Sequence, residues 1–181
     1  MSVPAYLNAA ERAANFILGE TNVQGRLRRN VTDSSRAHQA YLDDYAFFTA
    51  GLLDLYESNF DYRWLERAIG LQDIQDHLFL DEENGGYFLT AVDAERLLLR
   101  TKSAYDGATP SGTSMALHAL VRLAILLDRP DYRQKVEQTL RLNYRQLDMA
   151  PSGSAQMMCS LDFLLDTPSE IAIVGRPDQL P

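Results

Sequence analysis

Between residues 4 and 19 the apolar positions Tyr6, Ala9, Ala10, Ala13, Phe16 and Ile17 recur at intervals of three and four, the period of one helical face, and Gly19 supplies a stop. A polar connection with Gly25, Asn30, Thr32, Asp33 and two serines separates this helix from a second over 38–58. Two stripes run along that second helix: Tyr41, Tyr45, Phe48, Leu52 and Leu55, then Leu42, Ala46, Leu53 and Tyr56. A helix apolar over most of its circumference is buried on both sides. Asp61 is placed to cap a third helix that ends near Phe79, with Trp64, Leu65, Ala68, Leu71, Ile74 and Leu78 inward. The turn cluster at 80–86 leads to two short extended segments, 87–90 and 97–100, which predict a small β excursion near 86–100. Three further helices are predicted over 111–127, 131–147 and 151–165, and a C-terminal strand over 171–174.

Weak repetition links these helices. Tyr6 with Ala10, Trp64 with Ala68, and Tyr132 with Val136 each place an aromatic residue one turn before a smaller apolar one at a helix start, at spacings of 58 and 68 residues. Two helices per interval is the arrangement of stacked helical hairpins. Short loops such as 58–60 and 129–130 make successive helices antiparallel neighbours. The doubly apolar second helix suits an inner layer, and the more amphipathic first, third and fifth helices suit an outer one. The fold class is therefore mainly α, in one domain covering 1–181.

Composition narrows the function. The 181 residues are 46% apolar and 23% charged, a normal balance for one soluble domain. No apolar run approaches the roughly 20 residues of a bilayer span, and residues 1–19 lack the basic start and unbroken apolar centre of a signal peptide. No membrane association is expected. Seventeen basic against 25 acidic residues give a net charge of −8, which argues against nucleic acid as a partner. The tightest basic cluster, Arg26, Arg28 and Arg29, reads as a solvated face or a contact to a partner. Cys159 is the only cysteine, so there is no intrachain disulfide, redox pair or cysteine-rich zinc site, and a reducing cytoplasm is the expected compartment. Its apolar surroundings predict an inert core thiol.

The stretch from Lys102 to Ser114 departs from this generic pattern. Gly107, Pro110 and Ser111 specify a loop that opens a helix, and the loop carries Lys102, Tyr105 and Asp106. Together with Tyr41-Leu42-Asp43-Asp44-Tyr45-Ala46-Phe47, Gly85-Gly86-Tyr87-Phe88, Leu161-Asp162-Phe163-Leu164 and Glu170-Ile171-Ala172-Ile173-Val174-Gly175, it resembles the C-terminal helical region of the spermatogenesis-associated, thioredoxin-domain protein family. The resemblance covers nearly the whole chain. It implies part of an (α/α)6 toroid like that of N-acylglucosamine 2-epimerases and six-hairpin glycosidases, preceded in full-length members by a thioredoxin-like domain that this chain lacks. Six helices make about half of such a ring, so self-association, or pairing with a missing N-terminal half, is expected. Thr113 stands where the family usually carries asparagine.

In a toroid the inner-helix starts and their loops line a concave pocket. Asp43 and Asp44 begin one inner helix, and Asp106 precedes the next; these three are the candidate catalytic residues, since paired carboxylates about 6.5 to 9.5 Å apart act as general acid and base in inverting glycosidases. Tyr41, Tyr45, Lys102, Tyr105, Ser111, Ser114 and His118 are candidate sugar contacts. The competing reading makes Asp43 or Asp44 a helix cap, Lys102 a structural ion-pair partner, and His118 a hydrogen-bonded interface residue. Asp162, on an apolar helix, is expected to accept hydrogen bonds from a neighbouring segment. No metal-ligand cluster, nucleotide-binding glycine motif or serine-hydrolase motif is present, and no cofactor is expected. Two functions follow: a module that binds or processes a carbohydrate, or a noncatalytic scaffold serving a thioredoxin-like domain.

Overall fold

The computed structural model describes residues 4–23, 25–30, 38–95 and 98–166. Among them are seven α-helices and one two-stranded hairpin. The first helix, α1 (Pro4–Phe16), runs into a single π turn at Ile17–Thr21 and then into β1 (Asn22–Val23) and β2 (Arg26–Leu27), which the sequence pattern does not announce. Gly25 closes this hairpin with φ of 81°, a value that favours glycine.

The second helix starts four residues later than its periodicity predicts. Residues 38–40 lie alongside β2, with the Arg29 N–H donating to His38 O at 3.0 Å and the Ala40 N–H to Leu27 O at 3.2 Å. Only at Leu42 does α2 (Leu42–Asn59) begin, where the Asp44 carboxylate accepts from the Tyr41 N–H at 2.8 Å. At its far end Phe60 takes φ of 54° and its N–H closes on Tyr56 O. Asp61 then accepts from the Arg63 N–H at 3.0 Å and opens α3 (Tyr62–Phe79), as the sequence predicts.

The predicted β excursion near 86–100 is corrected to a braced loop. Its backbone forms an isolated bridge between Leu80 and Tyr87, and the Leu89 N–H donates to Thr101 O, without a continuous ladder among the described residues. Side chains take over: the Arg100 guanidinium donates to Thr90 O at 2.6 Å and Leu78 O at 3.3 Å, and lies 4.1 Å from the centre of the Phe88 ring. The predicted strand at 171–174 lies outside the described residues.

Helix α4 (Gly112–Leu126) matches its prediction closely, whereas the predicted fifth helix is two, α5 (Pro130–Leu142) and α6 (Tyr144–Met149). The break falls at Asn143, whose side-chain amide donates to Thr139 O at 2.8 Å and competes with the helical ladder. A 3-10 turn at Pro151–Ser154 precedes α7 (Ala155–Leu165). On α7, Cys159 and Asp162 are both exposed, so the expectations of a core thiol and of a hydrogen-bonded buried carboxylate are corrected. The stripe that supports them is satisfied instead by Met157, Ser160 and Leu164.

Helices α2, α4 and α7 form a parallel inner layer. Gly112 at the start of α4 abuts Leu42 and Asp43 at the start of α2, while Arg122, about one turn before the end of α4, pairs with Glu57 near the end of α2 at 2.9 Å. The starts of α4 and α7 likewise meet through Asp106. Helix α4 is central: Ala116, Leu117, Ala119, Leu120, Val121 and Leu123 are fully enclosed. Against α3, Tyr87 is buried and donates to Asp76 at 2.7 Å, and Lys135 from α5 donates to the other oxygen of Asp76 at 2.6 Å. Burial, reinforced by the neighbouring Asp76 charge, pushes the Tyr87 hydroxyl well above its ordinary pKa. No helix of the described residues is long and apolar enough to cross a membrane.

Candidate functional site

The close contact between the starts of α2 and α4 builds one wall of a cleft of about 590 Å³. Ile17, Leu27, Phe47 and Phe48 supply its apolar lining; Arg28, Arg29, Asp43, Asp44 and the loop residue Thr109 supply its polar groups. Because Asp43 and Asp44 occupy the first turn of α2, they sit at the positive end of its dipole. One guanidinium nitrogen of Arg29 lies 3.3 Å from Asp44 and 3.7 Å from Asp43, and the same guanidinium stacks 5.1 Å from the centre of the Tyr41 ring. Asp44 is committed to the Tyr41 N–H as well. Burial raises its pKa above the ordinary carboxylate value, and Asp43 adds to the rise, against the opposing pull of that N–H and of Arg29. Asp43 has more freedom: its Oδ1 is buried without a hydrogen-bond partner.

The loop that distinguishes this sequence is placed beside the cleft, but its ionisable residues turn elsewhere. Asp106, 8% exposed, accepts from the Ser111 N–H at 2.8 Å with one oxygen, and from the Gln156 and Met157 N–H groups at 2.8 and 3.3 Å with the other. It therefore caps two helices at once and is not among the cleft residues. Lys102 donates to Asp81 at 2.7 Å and to Gly85 O at 2.6 Å, bracing the turn that follows α3. Tyr105 is 67% exposed, with its ring against Gly153.

The remaining candidates are dispersed. Ser111 is the N-cap of α4, its hydroxyl accepting from the Ser114 N–H at 3.1 Å, and Ser114 is fully buried. Tyr45 is enclosed in the core, where its hydroxyl accepts from the Leu27 N–H at 2.9 Å. Thr113 is buried with an unpartnered hydroxyl. His118 is half-buried further along α4, with Nδ1 unpartnered, and its pKa is lowered by burial first and by Arg122 second. Among the described residues, no group of three His, Cys, Asp or Glu side chains could hold a metal ion. Of the ten sequence candidates, the cleft thus gathers Asp43 and Asp44, with Tyr41 adjoining through Arg29. It adds Arg28, Arg29 and Phe47, for which the sequence signal is a basic cluster and a motif residue without an indicated partner.

Gly112 sets the width of this junction. A Cβ there would stand 3.0 Å from Asp43 N and 3.2 Å from Asp43 Cα, both backbone atoms that cannot swing aside. Gly112→Ala is expected to cost about 2 kcal/mol through overpacking, measured by urea unfolding. An unchanged midpoint would mean that the two helix starts separate freely.

These features define a mainly helical protein with a cleft of mixed polar and apolar lining at the start of α2. No family model matches the chain. It is homologous to spermatogenesis-associated protein 20: it is 38% identical to the Homo sapiens protein over 180 residues, 93% of this chain and 23% of that one. Against the Rattus norvegicus protein it is 38% identical over 162 residues, 84% of this chain and 20% of the relative. A Caenorhabditis elegans protein described as uncharacterized is 32% identical over 180 residues, 95% of this chain and 24% of its own. The chain thus spans about a quarter or less of the curated relatives it matches.

Proposed function

We propose that this chain is part of an (α/α) ring and that the cleft at the start of α2 binds a carbohydrate. The observation that carries the reading is Asp43, a cleft carboxylate with one oxygen lacking a hydrogen-bond partner, in a cleft also lined by Phe47 and Phe48. Carboxylates accept from sugar hydroxyls, and aromatic faces cover the apolar C–H patches of a sugar ring. The parallel layer of α2, α4 and α7, with its helix starts at one end, supports the ring. Recognition is favoured over hydrolysis: Asp43 and Asp44 converge on a single guanidinium nitrogen rather than flanking a bond, and Asp106 is saturated by backbone amides.

A second reading, a noncatalytic scaffold for a thioredoxin-like domain, draws on the fully exposed Leu98 and the exposed Val92 and Leu99 of the braced loop. Calorimetric titration with neutral and acidic monosaccharides and short glycans separates the two. The expected result is binding that Asp43→Asn weakens by about tenfold or more. Absence of binding across such a panel would leave the scaffold reading in its place.

A further inference from the structure

We infer that the ligand of this cleft is an anionic sugar whose acid group is held by Arg28; the inference rests on the carbohydrate reading and names the class within it. The ground is the pairing state of the arginines. Arg26 pairs with Asp93, Arg100 is held by two backbone carbonyls, and Arg122 is held by Asp54, Glu57 and Ala50 O; these are the other buried or half-buried arginines of the described residues. The arginines without partners, Arg12, Arg67 and Arg145, are exposed to water. Among the arginines of the described residues, Arg28 alone is both half-buried and free of any ion pair or side-chain hydrogen bond, and it lines the cleft. A guanidinium that lines a cleft without an anionic partner forgoes its best interaction, one that a ligand acid group restores through two parallel N–H donors.

The surroundings divide the work. Arg29 is already occupied by Asp43, Asp44 and the Tyr41 ring, so it holds the two carboxylates in place and leaves ligand charge to Arg28. The backbone of Arg28 is fixed by its bridge to Gln39, which limits the entropy lost on binding. Asp43 and Asp44 in the same cleft repel a bare anion. They therefore favour a molecule that carries its acid at one end and hydroxyl donors at the other, which is the layout of a uronic acid or a sugar phosphate.

Calorimetric titration of the whole chain with glucose, glucuronate and glucose 6-phosphate tests this. Glucuronate or glucose 6-phosphate is expected to bind at least about tenfold more tightly than glucose. The two acids together report whether carboxylate or phosphate is preferred. The advantage should shrink as salt is raised, and should fall to within about twofold in Arg28→Gln. Arg28→Lys, which keeps the charge and loses the planar fork, should retain part of it. Thermal unfolding of both variants checks that they are folded, and the salt dependence of the wild type stands if they are not. Equal binding of glucose and the acids would overturn this inference and leave the carbohydrate reading intact. An acid preference that survives Arg28→Gln would remove Arg28 from the role, and failure of all three sugars to bind would overturn both.

Discussion

Asp106→Ala is expected to lower the free energy of unfolding by about 3–5 kcal/mol, because it leaves the N–H groups of Ser111, Gln156 and Met157 without their acceptor. The site is buried, so water does not replace the lost oxygens without rearrangement. Asp106→Asn retains one acceptor oxygen and should recover part of the loss. Urea denaturation read by circular dichroism measures both. A change below about 1 kcal/mol would show that the loop and α7 are anchored by other contacts. A carboxylate kept only for chemistry would leave stability unchanged on removal, so the experiment also separates the two roles considered for this residue.

Lys102→Met is expected to cost about 3 kcal/mol near neutral pH, since it strands the Asp81 carboxylate, 12% exposed, and the Gly85 carbonyl. It should also change the response to acid. The Lys102 ammonium, followed by the Asn84 N–H, holds the Asp81 carboxyl well below the usual carboxylate range. A depressed folded-state pKa gives stability that is present above the unfolded value, near 3.8, and lost as pH falls through the folded one. The wild type should therefore lose this contribution progressively below about pH 4, and Lys102→Met should show a shallower decline there. Denaturation midpoints collected between pH 2 and pH 7 (about the accessible range) test it; parallel curves for the two proteins would mean that Asp81 owes its ionisation to other groups.

The legible parts of this fold are those fixed by local chemistry. Asp61 and the apolar face behind it define α3, and Ser111 and Gly112 define the start of α4. The illegible parts depend on contacts distant in sequence. Residues 38–40 carry no mark that separates them from the first turn of a helix, and pairing with β2 decides their conformation. The segments near 86–100 have strand-like composition, but scattered backbone bonds to Phe79, Thr101, Leu42 and Leu78, with Arg100 donating to Thr90 O, replace a ladder. At the cleft, the motif around Asp43 and Asp44 identifies those residues as special, and the homology to spermatogenesis-associated protein 20 agrees with the resemblance those motifs carry. Their partner Arg29, and the unpaired Arg28 beside it, were hidden because a hairpin of two-residue strands, too short to read from periodicity, brings both arginines to the cleft. Asp106 shows the converse: its loop is distinctive in sequence, while its partners, 50 and 51 positions away, are not.

That single carboxylate also couples two parts of the chain in time. The first turn of α4 and the first turn of α7 share one acceptor, so opening either end exposes the other to solvent exchange. Helix α7 is therefore not an appendage that can fray alone. Its detachment loosens the loop from Lys102 onward and, through Gly112, the wall on which Asp43 rests.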